Sequence, residues 1–264
     1  MGVEISLKGK VALISGASRG IGEATALAFA NAGANVVVAS RKLPDLEQVA
    51  EKIKAKGVRS LAMAAHVAKI DESKNLVDTV LKEFGRIDIL FNNAGTNPYA
   101  GPLIDAEEWA WDTTFNVNLK GPFFLAQLVA RAMKEQGGGC MVNTVSVAGL
   151  RAGTGLPIYS VTKAAYVMLT QIMASEWAPW GIRVNGVAPG LIKTRLSEAL
   201  WRNLPSSQTT GAGSSLLRIG EPEDVSDVVL FLASDLARYM TGVIVPIDAG
   251  QLVGLATSRA GRSE

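Results

Sequence analysis

One cysteine, Cys140, and one histidine, His66, are all that the 264 residues hold of either type. A single thiol excludes an internal disulfide framework and any cysteine-built metal centre. A single imidazole excludes multi-histidine metal sites and leaves little room for a serine–histidine hydrolytic triad, so no metal is expected. Charge is also scarce: 19% of residues are charged, with 26 Lys and Arg against 24 Asp and Glu. The basic residues are scattered rather than striped, which argues against a nucleic-acid partner. No apolar run approaches the roughly 20 residues of a membrane span, and the N-terminus shows no signal-peptide core. The expectation is a cytoplasmic protein without a membrane partner. Cys140 precedes the strand-like Met141-Val142 and reads as an inert core thiol in a reducing compartment.

Apolar residues, by contrast, make up 48% of the chain, enough for a substantial core. Short β-branched runs at 11–14, 36–38, 59–64, 87–91, 141–145, 183–187 and 243–247 alternate with helical stretches at 23–31, 45–56, 72–84 and 158–176. Asp105, with Glu108 three residues later, predicts a capping box opening one long helix to about Lys134. Glu221-Pro222-Glu223 marks a further helix start, running to about Ala233. Continuous apolar strands alternating with helices predict an α/β fold: a doubly wound, mostly parallel seven-stranded sheet with helices on both faces. No composition break divides it, so residues 1–264 read as a single domain. The irregular stretch 191–217 contains Leu196, Leu200 and Trp201 and reads as a lid over a pocket.

Two constellations carry chemistry. After the first strand comes Ser15-Gly16-Ala17-Ser18-Arg19-Gly20-Ile21-Gly22. Glycines there allow a tight turn and bring backbone N–H groups close to a pyrophosphate at a helix N-terminus. The second constellation is Ser146, Tyr159 and Lys163. Tyr159 and Lys163 lie one helical turn apart on one face. A phenol, with an unperturbed pKa of about 10, needs a neighbouring cation to serve as an acid–base group near neutrality.

These motifs, with Asn92-Asn93-Ala94-Gly95, Asn116-Val117-Asn118-Leu119 and Pro189-Gly190…Thr194, fall in the order and spacing of the short-chain dehydrogenase/reductase family. The chain resembles that family over essentially its whole length, and within it the carbonyl-reductase branch most of all. The resemblance implies a Rossmann-type fold and a nicotinamide cofactor. It implies that Tyr159 is the general acid–base, Lys163 lowers its pKa and binds the ribose, and Ser146 polarises the carbonyl. Asn118 would hold a proton-relay water. Gly16, Ser18, Arg19, Gly20, Ile21 and Gly22 would cradle the dinucleotide, with Asn93, Ala94 and Gly95 lining its cleft. Pro189, Gly190, Ile192 and Thr194 would seat the nicotinamide. Where the family has an aspartate to accept from the adenine amino group, this chain has His66, followed by Val67. That contact rests on a ring that accepts only in the right tautomer.

The second strand ends Val38-Ala39-Ser40-Arg41, with no acid to repel a 2′-phosphate. Ser40, Arg41 and Arg19 therefore predict NADP(H) over NAD(H). Tyr99, Leu150, Leu156, Leu191, Leu200 and Trp201 predict an apolar substrate pocket suited to ketones or secondary alcohols. Arg151 and Lys193 are the nearby charges; either could receive an acidic group, but the favoured reading is that both point to solvent. Three other readings stand beside this one: a 3-ketoacyl-thioester reductase, a sugar dehydrogenase, and a non-catalytic nucleotide-binding protein. Ketoacyl relatives resemble the chain around Arg131 but typically carry an arginine where Ser175 stands. A homotetramer is inherited from the resemblance, built through the helices after Asp105 and Ile158.

Overall fold

The computed structural model describes residues 5–202, 216 and 218–253. Seven strands form one sheet in the order β3-β2-β1-β4-β5-β6-β7. They are β1 (Val11–Ser15), β2 (Asn35–Ser40), β3 (Ser60–Ala64), β4 (Ile89–Asn92), β5 (Gly139–Thr144), β6 (Ile182–Pro189) and β7 (Ile244–Ile247). Every pairing is parallel, so the expected mostly parallel sheet is wholly so. The helices are α1 (Gly20–Asn31), α2 (Leu43–Lys54), α3 (Ile70–Phe84), α4 (Glu108–Phe115), α5 (Gly121–Glu135), α6 (Pro157–Trp177), the single turn α7 (Glu198–Trp201) and α8 (Pro222–Ala233). No helix among the described residues is long and apolar enough to cross a membrane.

Strand alternation divides the core in two. Ala12 and Ile14 of β1 face a layer containing Phe29 of α1, Leu46 of α2 and Val229 of α8. Val11 and Leu13 face the opposite layer, with Leu76 of α3, Val129 of α5 and Met173 of α6. Successive side chains of a strand point to opposite faces, so a strand covered on both sides is apolar throughout. β1 is accordingly buried at all five positions, whereas the edge strands β3 and β7 are only half-buried.

The expected long helix after Asp105 is not continuous. Asp105 ends a short 3-10 turn, and α4 begins at Glu108 with Glu107 at its N-cap and no side-chain capping bond. A π-helical turn, Asn116–Lys120, then separates α4 from α5. Pro122 sits in the first turn of α5, where a missing N–H costs little. At Glu221 a capping box does form, with Asp224 as its distal partner.

The chain runs outward from β1 through β2 to β3, then returns to place β4 on the other side of β1. Strand order reverses between β1 and β4. Open α/β sheets have a crevice beyond the carboxyl ends of their strands at such a point. Ser15 and Asn92 occupy those ends and are paired in register.

Candidate active site

The crevice is lined by the turn after β1 (Gly16, Ser18, Arg19, Gly20 and Ile21), by Ser40 and Arg41 after β2, and by His66 and Val67 after β3. Asn93, Ala94 and Gly95 after β4, and Thr194 after β6, complete the wall. Gly16 adopts φ +68°, and an added Cβ would stand 2.8 Å from the Ala94 backbone, so only glycine fits there. Gly22 lies behind the turn, packed on the Gly16 carbonyl. Ser15 Oγ accepts from the amides of Asn93 and Ala94 at 3.1 and 3.2 Å, which clamps the β1 and β4 ends together. The cradle fits a dinucleotide: a bare backbone turn opens onto helix α1, with Arg19, Arg41 and Arg195 among the lining residues.

Asn93 extends the clamp to a third strand. Its Nδ2 donates to the Gly16 carbonyl at 3.1 Å, and its Oδ1 accepts from Thr144 Oγ1 at 3.2 Å. The Thr144 carbonyl accepts in turn from Lys163 Nζ at 2.7 Å. A Cβ placed on Gly95 would lie 3.9 Å from Lys163 Nζ and 3.6 Å from Asn118 Oδ1. Lys163 and Asn118 therefore stand directly behind the cleft wall at Gly95.

Asn118 lies fully buried in the π-helical turn. Its Oδ1 accepts from the Thr96 amide at 2.8 Å, and its Nδ2 donates to the Thr96 carbonyl at 2.9 Å and to Thr162 Oγ1 at 3.3 Å. The side chain thus locks the loop after β4 onto α6.

Ser146, just after β5, is 8% exposed and accepts from the Ala148 amide at 3.2 Å. The short turn Val147–Gly149 that it opens presses on α6: a Cβ on Gly149 would meet the Lys163 carbonyl carbon at 2.6 Å. That close approach brings Ser146 to Tyr159. Burial pushes the Tyr159 phenol above its ordinary value, and a hydrogen bond with Ser146 pulls the other way. Lys163 follows one turn later on α6. Its Nζ is engaged by Thr144 and stands 5.5 Å from the Tyr159 ring centroid. Burial lowers Lys163 itself to about 8.

The remaining expected residues are placed less simply. Pro189 ends β6, and Gly190 packs against Asp248 beyond β7. Ile192 turns away: it is 5% exposed, forms a bridge with Gly220, and lines with Leu191 a second depression floored by Pro246 and Ile247. The Thr194 hydroxyl pairs with Ser197 Oγ at 3.0 Å. The Tyr99 hydroxyl donates to the Pro102 carbonyl, and Trp201 Nε1 donates to the Thr194 carbonyl at 3.2 Å. Leu156 precedes α6, while Leu150 and Leu200 are exposed. Lys193 is half-exposed and paired with Glu221. Arg151 reaches the Leu252 carbonyl at 3.5 Å. Residues 203–215 and 217 of the candidate lid lie outside the described residues. Ser15, Thr144 and Thr162 were not singled out by the sequence. Hydroxyls at the ends of buried strands, beside the motif residues they serve, were the available signal.

A family model described as enoyl-(acyl carrier protein) reductase matches residues 16–251. Dehydrogenase/reductase SDR family member 4 of Homo sapiens is 39% identical over 244 residues, covering 92% of this chain and 88% of its own. The 3-oxoacyl-acyl-carrier-protein reductase FabG of Thermotoga maritima is 39% identical over 247 residues, covering 94% of this chain and 99% of its own. A solved 7α-hydroxysteroid dehydrogenase, complexed with NADH and 7-oxo glycochenodeoxycholic acid, superposes with a TM-score of 0.89 at 31% identity, covering 98% of this chain and all of its own. The chain belongs to the short-chain dehydrogenase/reductase family, a family of oxidoreductases.

Proposed function

We propose that the protein is an NADP(H)-dependent oxidoreductase that interconverts a ketone and a secondary alcohol. The observation that carries this reading is that Ser146 hydrogen-bonds the Tyr159 phenol while Lys163, one helical turn on, stands behind Gly95 in the wall of a glycine-floored cleft. A bound nicotinamide would supply or accept the hydride. Gly16, Ser18, Gly20 and Ile21 would hold the pyrophosphate, and Asn93, Ala94, Gly95 and Thr194 the nicotinamide half. Pro189, Gly190 and Ile192 would contribute through backbone, since the Ile192 side chain packs against Gly220 in the second depression.

In reduction, Tyr159 delivers the phenolic proton to the substrate oxygen, and Ser146 donates a hydrogen bond to that oxygen. Burial favours the neutral, proton-bearing phenol, which suits a general acid. Lys163 contributes its positive charge from behind the wall, and Asn118 fixes the loop that carries Gly95. In oxidation Tyr159 takes the proton back. Preference for NADP(H) rests on Arg19, Ser40 and Arg41, all at one end of the cleft. Lys42 and Arg195 also line the cleft, beside one carboxylate, Asp45.

The solved hydroxysteroid dehydrogenase supports a ketone or alcohol as substrate class. Likeness to FabG favours, as a second reading, reduction of a 3-ketoacyl thioester. Ser175 is exposed on α6 and offers no cation to an acidic carrier, which weighs against it. Assembly through α4–α6 is supported by Trp109, Trp111, Val161, Met168 and Ile172, which are exposed there at 41–58%. Light scattering giving a tetramer mass would agree. The deciding experiment is a panel of aromatic and medium-chain ketones, sugars and ketoacyl thioesters assayed with NADPH and NADH. Ketone reduction driven by NADPH is expected to have the highest kcat/KM. Fast hexose oxidation with negligible ketone reduction overturns the substrate class.

A further inference from the structure

His66 stands in the loop between β3 and α3 and lines the cleft beside the β2 end, at the rim that carries Ser40 and Arg41. The loop is closed on itself. The His66 amide donates to Glu72 Oε2 at 2.7 Å, and Glu72 is held by Lys69 at 2.8 Å. The imidazole is oriented by the same turn, because its Nδ1 accepts from the Ala68 amide at 3.2 Å. A nitrogen that accepts from an N–H carries no proton. In the neutral ring the proton is therefore on Nε2, and a protonated Nε2 can only donate.

We propose that His66 reads the base of the bound dinucleotide as a hydrogen-bond donor. This inference rests on the proposed cofactor reading. Adenine offers ring nitrogens as acceptors but an amino group as a donor, and Nε2–H can pair only with the former. The chain thus lacks, at this position, the acceptor that would select a 6-amino purine over a 6-oxo purine. A hypoxanthine base, with a carbonyl where adenine has its amino group, meets no opposition from His66.

The test is calorimetric binding of NADPH and of its hypoxanthine counterpart, without substrate. The wild-type protein is expected to bind the hypoxanthine counterpart at least as tightly as NADPH. His66→Asp converts the donor into an obligate acceptor. Its carboxylate can still take the Ala68 amide, so the turn has a partner. This variant is expected to favour adenine by roughly 10-fold or more, the range of a charge-assisted hydrogen bond. His66→Asn can accept from Ala68 through Oδ1 while donating into the cleft through Nδ2, and should keep the wild-type ratio. Tight NADPH binding with a tenfold adenine preference in the wild-type protein overturns the inference alone. An unchanged ratio in His66→Asp, or an adenine preference in His66→Asn, does the same. Binding of neither dinucleotide overturns the cofactor reading and this inference with it.

Discussion

Lys163 Nζ donates to the main-chain carbonyl of Thr144 at 2.7 Å, and this bond fixes the buried ammonium against strand β5. Burial lowers Lys163 from 10.5 to about 8, so folding disfavours its charged form. Below pH 8 both the folded and unfolded chains carry the charge, and the full penalty of about 3 kcal/mol applies. Between pH 8 and 10.5 the unfolded chain holds the proton more tightly, and the penalty fades as pH rises. Lys163→Met removes the penalty but leaves the Thr144 carbonyl without its donor, at a cost of about 1 kcal/mol. We expect a net stabilisation near pH 7, by urea denaturation, that shrinks or reverses by pH 10. A variant less stable at pH 7 than at pH 10, relative to wild type, would show that burial does not depress this lysine.

Tyr159→Phe removes the transferable proton and little else. Turnover is expected to fall by at least about 100- to 1000-fold, the usual worth of a positioned acid–base group. Dinucleotide affinity should be unchanged, because the phenolic oxygen makes its bonds to Ser146 and substrate. Near-normal turnover on the best ketone would remove Tyr159 from the mechanism.

Arg41→Ala tests the cofactor choice. Loss of a charge-assisted hydrogen bond weakens binding by roughly 10- to 150-fold, so NADPH should suffer by that factor and NADH hardly at all. Equal losses for both dinucleotides would mean that Arg41 does not distinguish the 2′-phosphate.

Gly149→Ala introduces a methyl group into the backbone of α6 at 2.6 Å from Lys163. The turn Val147–Gly149 must then lift, carrying Ser146 away from Tyr159. A fall in kcat of about 100-fold or more is expected, in line with the sensitivity of catalysis to small misplacements. Dinucleotide affinity should hold, since neither Gly149 nor Ser146 lines the cleft at the glycine turn. Unaltered kcat would mean that the turn yields without moving Ser146.

The strands and their layering were legible because burial on both faces leaves runs such as 11–14 and 36–39 without polar interruption. The break between α4 and α5 was not. Residues 105–134 keep a helical composition throughout, and Gly121-Pro122 was the overlooked sign of a new helix start. Placement of Tyr159 and Lys163 on one helix was legible from their spacing, but the partner of Lys163 was not. Thr144 acts through its carbonyl, and a main-chain acceptor leaves no mark in a sequence. The partner of Lys193 was hidden for a related reason: Glu221 lies 28 residues away, and only the fold brings them together. The His66 tautomer, likewise, is decided by the Ala68 amide and not by residue type.

The Asn93 side chain joins the turn after β1 to the last residue of β5, and Thr144 passes that link on to α6. Every member of this chain of bonds sits at an end of a strand or within a helix. No described residue following β6 takes part in it. Substitutions within the bonded frame are expected to disturb the chemistry, whereas those in the excursion beyond Thr194 are expected to leave it in place. A chimera that exchanges only that excursion with a relative's would inherit this chain's chemistry and the relative's choice of what to admit.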